Sequence, residues 1–341
     1  MKLNLRSLAR WETFLLALIV LTVLAFSLSW SPWYTPYFFN LSNMLGMTNR
    51  VIAVGLMALP LTLIIIAGQI DLSVESMLGL GAIAFAVRYE AGMNIWLAAL
   101  VALLVGAVGG LFNGLVITRV RLPSLVVTLG TYALFRGLAF LILGDRAVDL
   151  TSAPKDFTNI GAGYIGNSSV PQYILLFVVL ALLFGLVLHR TSFGRYIYAI
   201  GSNQEACRYS GVRVSMIITV LFVVAGIMSV IAGLVDASLL GSARADIGTG
   251  LLLDVVTAVV LGGVDIFGGR GTILGPVLAL ILIALLRGGI GFLLVTQGDE
   301  VGNLMVGCLL IFSILLPHVL QRIRSYVARR GLRAGPMRVA Q

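Results

Sequence analysis

The sequence predicts an all-α polytopic membrane protein, one domain over residues 1–341 with about ten transmembrane helices, some of them short or broken. Three observations predict it. Hydrophobic residues make up 59% of the chain and charged residues only 11%, where a soluble chain carries about a quarter of its residues as charges. Apolar runs approaching the ~20 residues that cross a hydrocarbon core recur from end to end. When the runs are threaded through a membrane, the basic residues sort to one side of it.

In order, the runs are residues 13–29, 51–68, 76–87, 95–117, 124–143, 172–189, 215–236, 251–264, 272–286 and 301–317. The first is longer than a signal-peptide core and has no clear A-x-A cleavage site, so it is read as a retained anchor. The third, eighth and ninth are too short to cross straight and are expected to be broken or partly re-entrant. That is tolerated only where protein or a water-filled cavity covers the backbone.

With the amino terminus inside, the tail 1–12, Arg119, Arg121, the arginines of 190–214, Arg270 and the tail 318–341 fall on the cytoplasmic side. They hold 16 of the 23 basic residues, so both termini are expected in the cytoplasm. The net charge of +9 is then a topology signal, with the carboxy tail a surface for anionic lipid; no nucleic-acid role is expected. Cys207 lies in a loop and Cys308 inside the last run, so they cannot pair. His189 and His318 have no cysteine or carboxylate cluster beside them, and no metal site is expected.

Residues 191–214, TSFGRYIYAIGSNQEACRYSGVRV, are polar and basic between two long apolar runs. Ser202 and Glu205 form an S-x-x-E capping box, and Gly211 can supply a left-handed stop. These signals predict a short helix outside the bilayer. A helix of roughly two turns has little stability of its own in water, so it is expected to pack against something, a partner protein being the favoured reading.

Gly68 to Leu72 (GQIDL) is echoed by Gly262 to Ile266 (GGVDI), and the same offset superposes Leu80 on Leu274 and Gly81 on Gly275. Either this is an internal parallel repeat, which would place a transport path at its interface, or glycine-rich apolar sequence is aligning with itself. Gly106, Gly109, Gly110 and Gly114 are spaced to let helix backbones approach closely. Residues 145–171, rich in Ser, Gly, Asn and Asp, have few apolar residues to bury and are expected to be a surface loop.

Asp71, Glu75, Arg136, Asp236, Asp254 and Arg287 lie in or near apolar runs, where a charge at mid-bilayer costs on the order of 3 kcal/mol or more. Asp71 precedes a helix and is expected to cap it, and Glu75 sits one turn later. Arg136, flanked by glycine, is the better candidate for a translocation path. Asp254 either lines the cavity or caps. An Arg136 to Asp254 pair is expected to lower the burial cost of both. No nucleophile with a neighbouring base and no Walker phosphate loop is found, so any energy source is expected on another chain. Transport stands well ahead of enzymology, and the residues alone leave open whether a separate ATPase or ion coupling through Asp71, Arg136 or Asp254 drives it.

Four ordered segments, GQIDLSVESMLGLGA (68–82), NGLVITRVRLPSLVVTLGTYALFRGLA (113–139), 191–214 and LLDVVTAVVLGGVDIFGGRGTILG (252–275), resemble the permease of bacterial ATP-binding-cassette importers for ribose, galactose, rhamnose and autoinducer-2. The resemblance runs nearly end to end. It implies an inner-membrane transport subunit that moves a monosaccharide or related solute by alternating access. It also implies as partners a second permease subunit, a cytoplasmic ATPase dimer carrying ATP and Mg, and a periplasmic sugar-binding protein, with no cofactor on this chain.

Within 190–214, Glu205-Ala206-x-x-x-x-Gly211 is similar to that family's E-A-A-x-x-x-G coupling segment, which makes Ser202, Asn203, Glu205, Ala206, Cys207 and Gly211 candidates for ATPase coupling. Cys207 replaces the second alanine, both being small as docking in a cleft requires, and no I-x-L-P tail follows. Leu252 stands where the family commonly has a glutamate.

Overall fold

The structure, a computed structural model, describes residues 5–27, 40–293, 298, 300–313 and 315. Its elements are α1 (Leu5–Ser27), α2 (Leu41–Met47), α3 (Ile52–Ile66), α4 (Val74–Glu90), α5 (Ile95–Leu115), a π-helical turn (Val116–Val120), α6 (Ser124–Leu143), β1 (Ala147–Asp149) and α7 (Lys155–Ala162). There follow α8 (Gln172–Arg190), α9 (Ser192–Ser202), α10 (Gln204–Tyr209), α11 (Val214–Leu240), β2 (Ser242–Arg244), α12 (Leu251–Leu261), α13 (Leu274–Leu293) and α14 (Glu300–Ser313). Of the expected tail 1–12, residues 5–12 already belong to α1, while residues 1–4 and the expected tail 318–341, with His318, lie outside the described residues.

Each of the ten apolar runs falls on a helix over its described residues, and among the described residues the chain is all-α apart from one two-stranded ribbon. Of the three runs expected to be broken, two are not. Helix α4 has 17 residues and α13 has 20, because their charged ends, Arg88 and Glu90 in one and Arg287 in the other, continue the helix instead of ending it. Only α12 is short. Its 11 residues span roughly 16 Å, about half of the hydrocarbon thickness.

Helix α3 is apolar on every side and buried at all 15 positions, as an all-round hydrophobic helix must be. Around it pack α8, α11, α12 and α13, while α11 also packs on α4 and α5. Lipid offers no hydrophobic drive for helix association, so close backbone approach must hold such a bundle. A Cβ on Gly106 would stand 2.6 Å from the Gly226 carbonyl oxygen, one on Gly114 would stand 2.7 Å from the Thr219 Cα, and one on Gly110 would collide with the Phe222 carbonyl. Gly109 faces the other way, onto Met77 of α4. The glycine run thus seats α5 between α11 and α4.

The two ends of the bundle differ. At one, here the cap end, β1 pairs antiparallel with β2 (Val148 opposite Ala243), and α7 covers the end of α11. Ser238 Oγ accepts the Gly161 N–H (3.0 Å) and donates to the Phe157 carbonyl (2.9 Å), and Phe157 stacks on Phe85 at 4.8 Å. Residues 145–171 are therefore no plain surface loop. Val148, Leu150, Ala153 and Phe157 are buried, a handful of apolar side chains spaced well enough to fold the segment into a lid.

At the other, the platform end, α9 lies beside the end of α3 and the loop 262–273, and α10 packs on α9 and α11. Trp11 Nε1 of α1 donates to the Leu261 carbonyl there (3.0 Å).

Candidate functional site

The platform is built on two matching helix stops. Helix α3 ends with Gly68 at φ +73°, its N–H on the Ile65 carbonyl and that of Gln69 on Ile64. Helix α12 ends with Gly263 at φ +82°, its N–H on Val260 and that of Val264 on Val259. Both are Schellman stops, which need a left-handed residue and so favour glycine. Each is followed by an aspartate turn, Asp71 Oδ1 accepting the Ser73 N–H (2.8 Å) and Asp265 Oδ1 that of Phe267 (3.0 Å). The aspartates keep the offset seen in the sequence, whereas the glycine stops are displaced from it by one residue. Beyond the turns the likeness ends, since Leu80 lies within α4 while Leu274 starts α13. The echo is a repeated helix stop and turn on two helices that run the same way.

Helix α9 is wedged between the α3 stop and the loop that follows the α12 stop. A Cβ on Gly201 would collide with the Ile66 carbonyl oxygen, which itself accepts the Gly269 N–H (2.8 Å). Tyr198 donates its hydroxyl to the Gly271 carbonyl (2.7 Å), and burial pushes its phenol up to about 12. Backbone against backbone leaves no compliant side chain between α9 and α3, so displacement of one reaches the other.

Helix α10 hangs from this wedge by the single residue Asn203. The capping box expected at Ser202 is not formed: Ser202 ends α9 and donates back to the Tyr198 carbonyl (2.9 Å). Asn203 caps instead, its Oδ1 accepting the Ala206 N–H (2.9 Å). The reason is local. Helix α9 runs on to Ser202, which leaves the extended residue Asn203 (φ −162°, ψ 97°) as the first able to cap. Gly211 does form the left-handed stop, at φ +79°, with Val212 N–H on the Cys207 carbonyl. The Glu205 side chain is 74% exposed and stands 3.8 Å from Arg208. Ala206 is exposed as well, but Cys207 is buried against the bundle. Of the two small residues, only Ala206 faces outward.

Glu75, Arg136, Asp254 and Arg287 form two separate ion pairs. Glu75 Oε1 of α4 takes Arg136 Nη2 (3.2 Å) and the Tyr132 hydroxyl (3.3 Å), and its Oε2 accepts the backbone N–H of Leu252 at 2.8 Å. Arg136 Nη1 donates to the carbonyls of Ala245 and Ile247 at 2.8 and 3.0 Å. Asp254 Oδ1 takes Arg287 Nη2 (2.7 Å), which also meets Asn303 Oδ1 (3.0 Å).

The expected Arg136 to Asp254 pair is therefore absent. The start of α12 offers Glu75 a backbone N–H, which points along the helix axis toward its N-terminus, while the Asp254 side chain turns onto Arg287 of α13. Where Leu252 brings no carboxylate, Glu75 of another helix supplies one. The sequence reading noted Glu75 only as a helix-end charge and missed Tyr132. A readable signal existed, for Tyr132 and Arg136 stand four apart on one face of α6 and point to a shared acid.

Asp71 ends a short chain of bonds, Asn113 Nδ2 to Ser73 Oγ (2.9 Å) and Ser73 Oγ to Asp71 Oδ1 (2.6 Å). It closes the turn ahead of α4 and does not cap the helix as expected, because the helix begins after Ser73, whose N–H Asp71 takes, and this N-cap has no side-chain cap bond. Of the two cavities described, neither is lined by Asp71, Arg136 or Asp254.

Residues 43–314 match the family model described as branched-chain amino acid transport system / permease component. The autoinducer 2 import system permease protein LsrD of Klebsiella pneumoniae subsp. pneumoniae is 38% identical over 89% of this chain and 90% of its own length. That of Enterobacter sp. (strain 638) is 37% identical over 92% and 93%, and that of Escherichia coli (strain K12) 35% over 94% and 97%. No solved structure matches the chain. These relatives give the ion-coupled alternative no support. The chain therefore belongs to the branched-chain amino acid transport system / permease component family, as a multi-pass inner-membrane permease of an importer whose ATP is hydrolysed on a separate ATPase and whose solute comes from a periplasmic binding protein.

Proposed function

We propose that this permease imports a small polyhydroxylated, sugar-like solute by alternating access, and that α10 seats in a cleft of the partner ATPase. The observation that carries this reading is the α9 wedge. The exposed outer face of α10, Glu205 and Ala206, is one residue away from a helix locked backbone to backbone onto α3 and the 262–273 loop. Closure of an ATPase dimer would pull on α10, and α9 would pass that pull to the stops of α3 and α12.

In this reading the platform end and both termini are cytoplasmic, in keeping with the positive-inside distribution, and the cap end, with β1, β2 and α7, receives the binding protein. A second permease subunit, identical or homologous, completes the path. Asp71, Arg136 and Asp254 then act as fixed braces within each half, because each is engaged in local bonds. The first candidate solute is the autoinducer-2 for which the LsrD relatives are named, with ribose and rhamnose next.

The test is co-purification of the chain with its ATPase and second permease, followed by uptake of radiolabelled solutes into proteoliposomes supplied with the binding protein. Uptake of autoinducer-2 or a monosaccharide that needs ATP and the binding protein supports the reading. Transport of a branched-chain amino acid instead, or uphill transport without the ATPase, would overturn it.

A further inference from the structure

At the platform end, between the last turns of α5 and the first of α11, lies a cavity of about 710 Å³ walled by four arginines, Arg119, Arg121, Arg208 and Arg213. Among the described residues, Arg119, Arg121 and Arg213 have no carboxylate within ion-pair distance. Arg208 has only the exposed Glu205 at 3.8 Å. Four exposed arginines border one cavity, and an anion among them is attracted by all four.

Two further observations define the anion. Arg213 precedes the first turn of the 27-residue α11 and makes no side-chain cap; the Val214 N–H is taken by the Val212 carbonyl (2.8 Å), and the N–H groups of the next residues, Ser215 and Met216, are the ones an anion could meet. A phosphate suits both features: guanidinium forks bind it bidentately, and a helix N-terminus stabilises its charge. On the membrane side the same cavity is walled by Leu115, Met216 and Val220, with Met216 and Val220 exposed. A basic collar above an apolar wall, at the ends of two spanning helices, has the shape and polarity of a phospholipid. Arg121 contributes from a left-handed backbone (φ +63°, ψ +35°), the one described non-glycine residue with positive φ, and strain of this kind is retained where the surroundings demand it.

We propose that this cavity is a binding site for the phosphate headgroup of an anionic membrane phospholipid, its acyl chains lying along Leu115, Met216 and Val220. A bound lipid would bridge Arg208 of α10, Arg213 of α11 and the turn after α5, and so fix the platform to the membrane surface. An acidic surface of a partner protein, or free phosphate, would leave the apolar wall unused. The site stands whatever α10 docks against.

The probe is phosphatidylglycerol, measured as lipid retained on the purified full chain by native mass spectrometry against a phosphatidylcholine background. Each of Arg119→Gln, Arg121→Gln and Arg213→Gln is expected to weaken retention about five-fold, the fold-change for ~1 kcal/mol per basic residue. Arg146→Gln and Arg244→Gln at the cap end are expected to leave it unchanged. If the variant carrying all three substitutions does not fold, Met216→Glu, which sets a carboxylate on the apolar wall along the acyl chains, is expected to expel the lipid alone.

Equal retention in wild type and variants overturns the proposal. So does displacement of the lipid by inorganic phosphate at equal concentration, or loss of ATPase co-purification in the variants with lipid retention intact.

Discussion

The Glu75 carboxylate accepts the backbone N–H of Leu252 at 2.8 Å, so a side chain of α4 closes the start of α12. Because α12 is only half a membrane long and its other end is fixed at the platform, this helix start lies within the bundle. Orphan N–H groups there have no water to turn to. The same carboxylate neutralises Arg136, whose Nη1 holds the descending strand of chain at Ala245 and Ile247. One acid therefore ties α4, α6 and the entry to α12 into a unit. Glu75→Ala leaves both a buried guanidinium and a helix start unpartnered, and is expected to cost about 3–5 kcal/mol. Thermal melting in detergent checks this, and an unchanged midpoint contradicts it.

The separation of the two ion pairs is testable by double-mutant cycles. Glu75→Gln with Arg136→Met is expected to show coupling of about 0.5–3 kcal/mol, as contacting residues do, and so is Asp254→Asn with Arg287→Met. Arg136→Met with Asp254→Asn is expected to be additive. Coupling in that third cycle would restore the pairing expected from sequence.

Glycine substitutions should divide by what a Cβ meets. Gly110→Val drives a side chain into the α11 backbone at Phe222, and overpacking of a tight site costs about 1–3 kcal/mol or more. Gly130 and Gly137 on α6 have nothing within 4 Å, so Ala there is expected to be tolerated or slightly stabilising through helix propensity. Yield and melting temperature of the purified variants distinguish the two classes.

The start of α10 provides a local test. Asn203→Ala removes the acceptor for the Ala206 N–H and is expected to cost about 1 kcal/mol of local stability, read as faster amide exchange across 204–209. Ser202→Ala removes only a bond back along α9 and is expected to leave that exchange rate unchanged. The reverse order would return the cap to Ser202.

The helices were largely legible because apolar runs and the Gly211 stop report local physics, whereas the stops at Gly68 and Gly263 show only as a faint echo in the sequence. Gly106, Gly110 and Gly114 were readable for the same reason: a crossing in lipid needs small residues. The charge partners were not. Arg136 met Glu75 instead of Asp254 because the pairing depends on how α12 enters the bundle and which face it turns, and no residue pattern within α12 encodes that. The lid at 145–171 was misread since a few apolar residues, Phe157 and Leu150 among them, suffice to fold a segment that already rests on α4 and α11. Cys207 was placed on the docking face from its size, yet in a six-residue helix one side must face the bundle, and that side holds Cys207.

The central claim is that α10 and α9 form the lever between a separate ATPase and the core helices. It is tested most directly by ATP hydrolysed per solute imported in proteoliposomes, comparing wild type with Glu205→Trp, a position exposed enough to take the ring without disturbing this chain. The account predicts normal insertion and melting, continued ATP hydrolysis, and uptake reduced at least tenfold, ~1.4 kcal/mol or more of lost coupling. Uptake at the wild-type ratio of solute to ATP would contradict it.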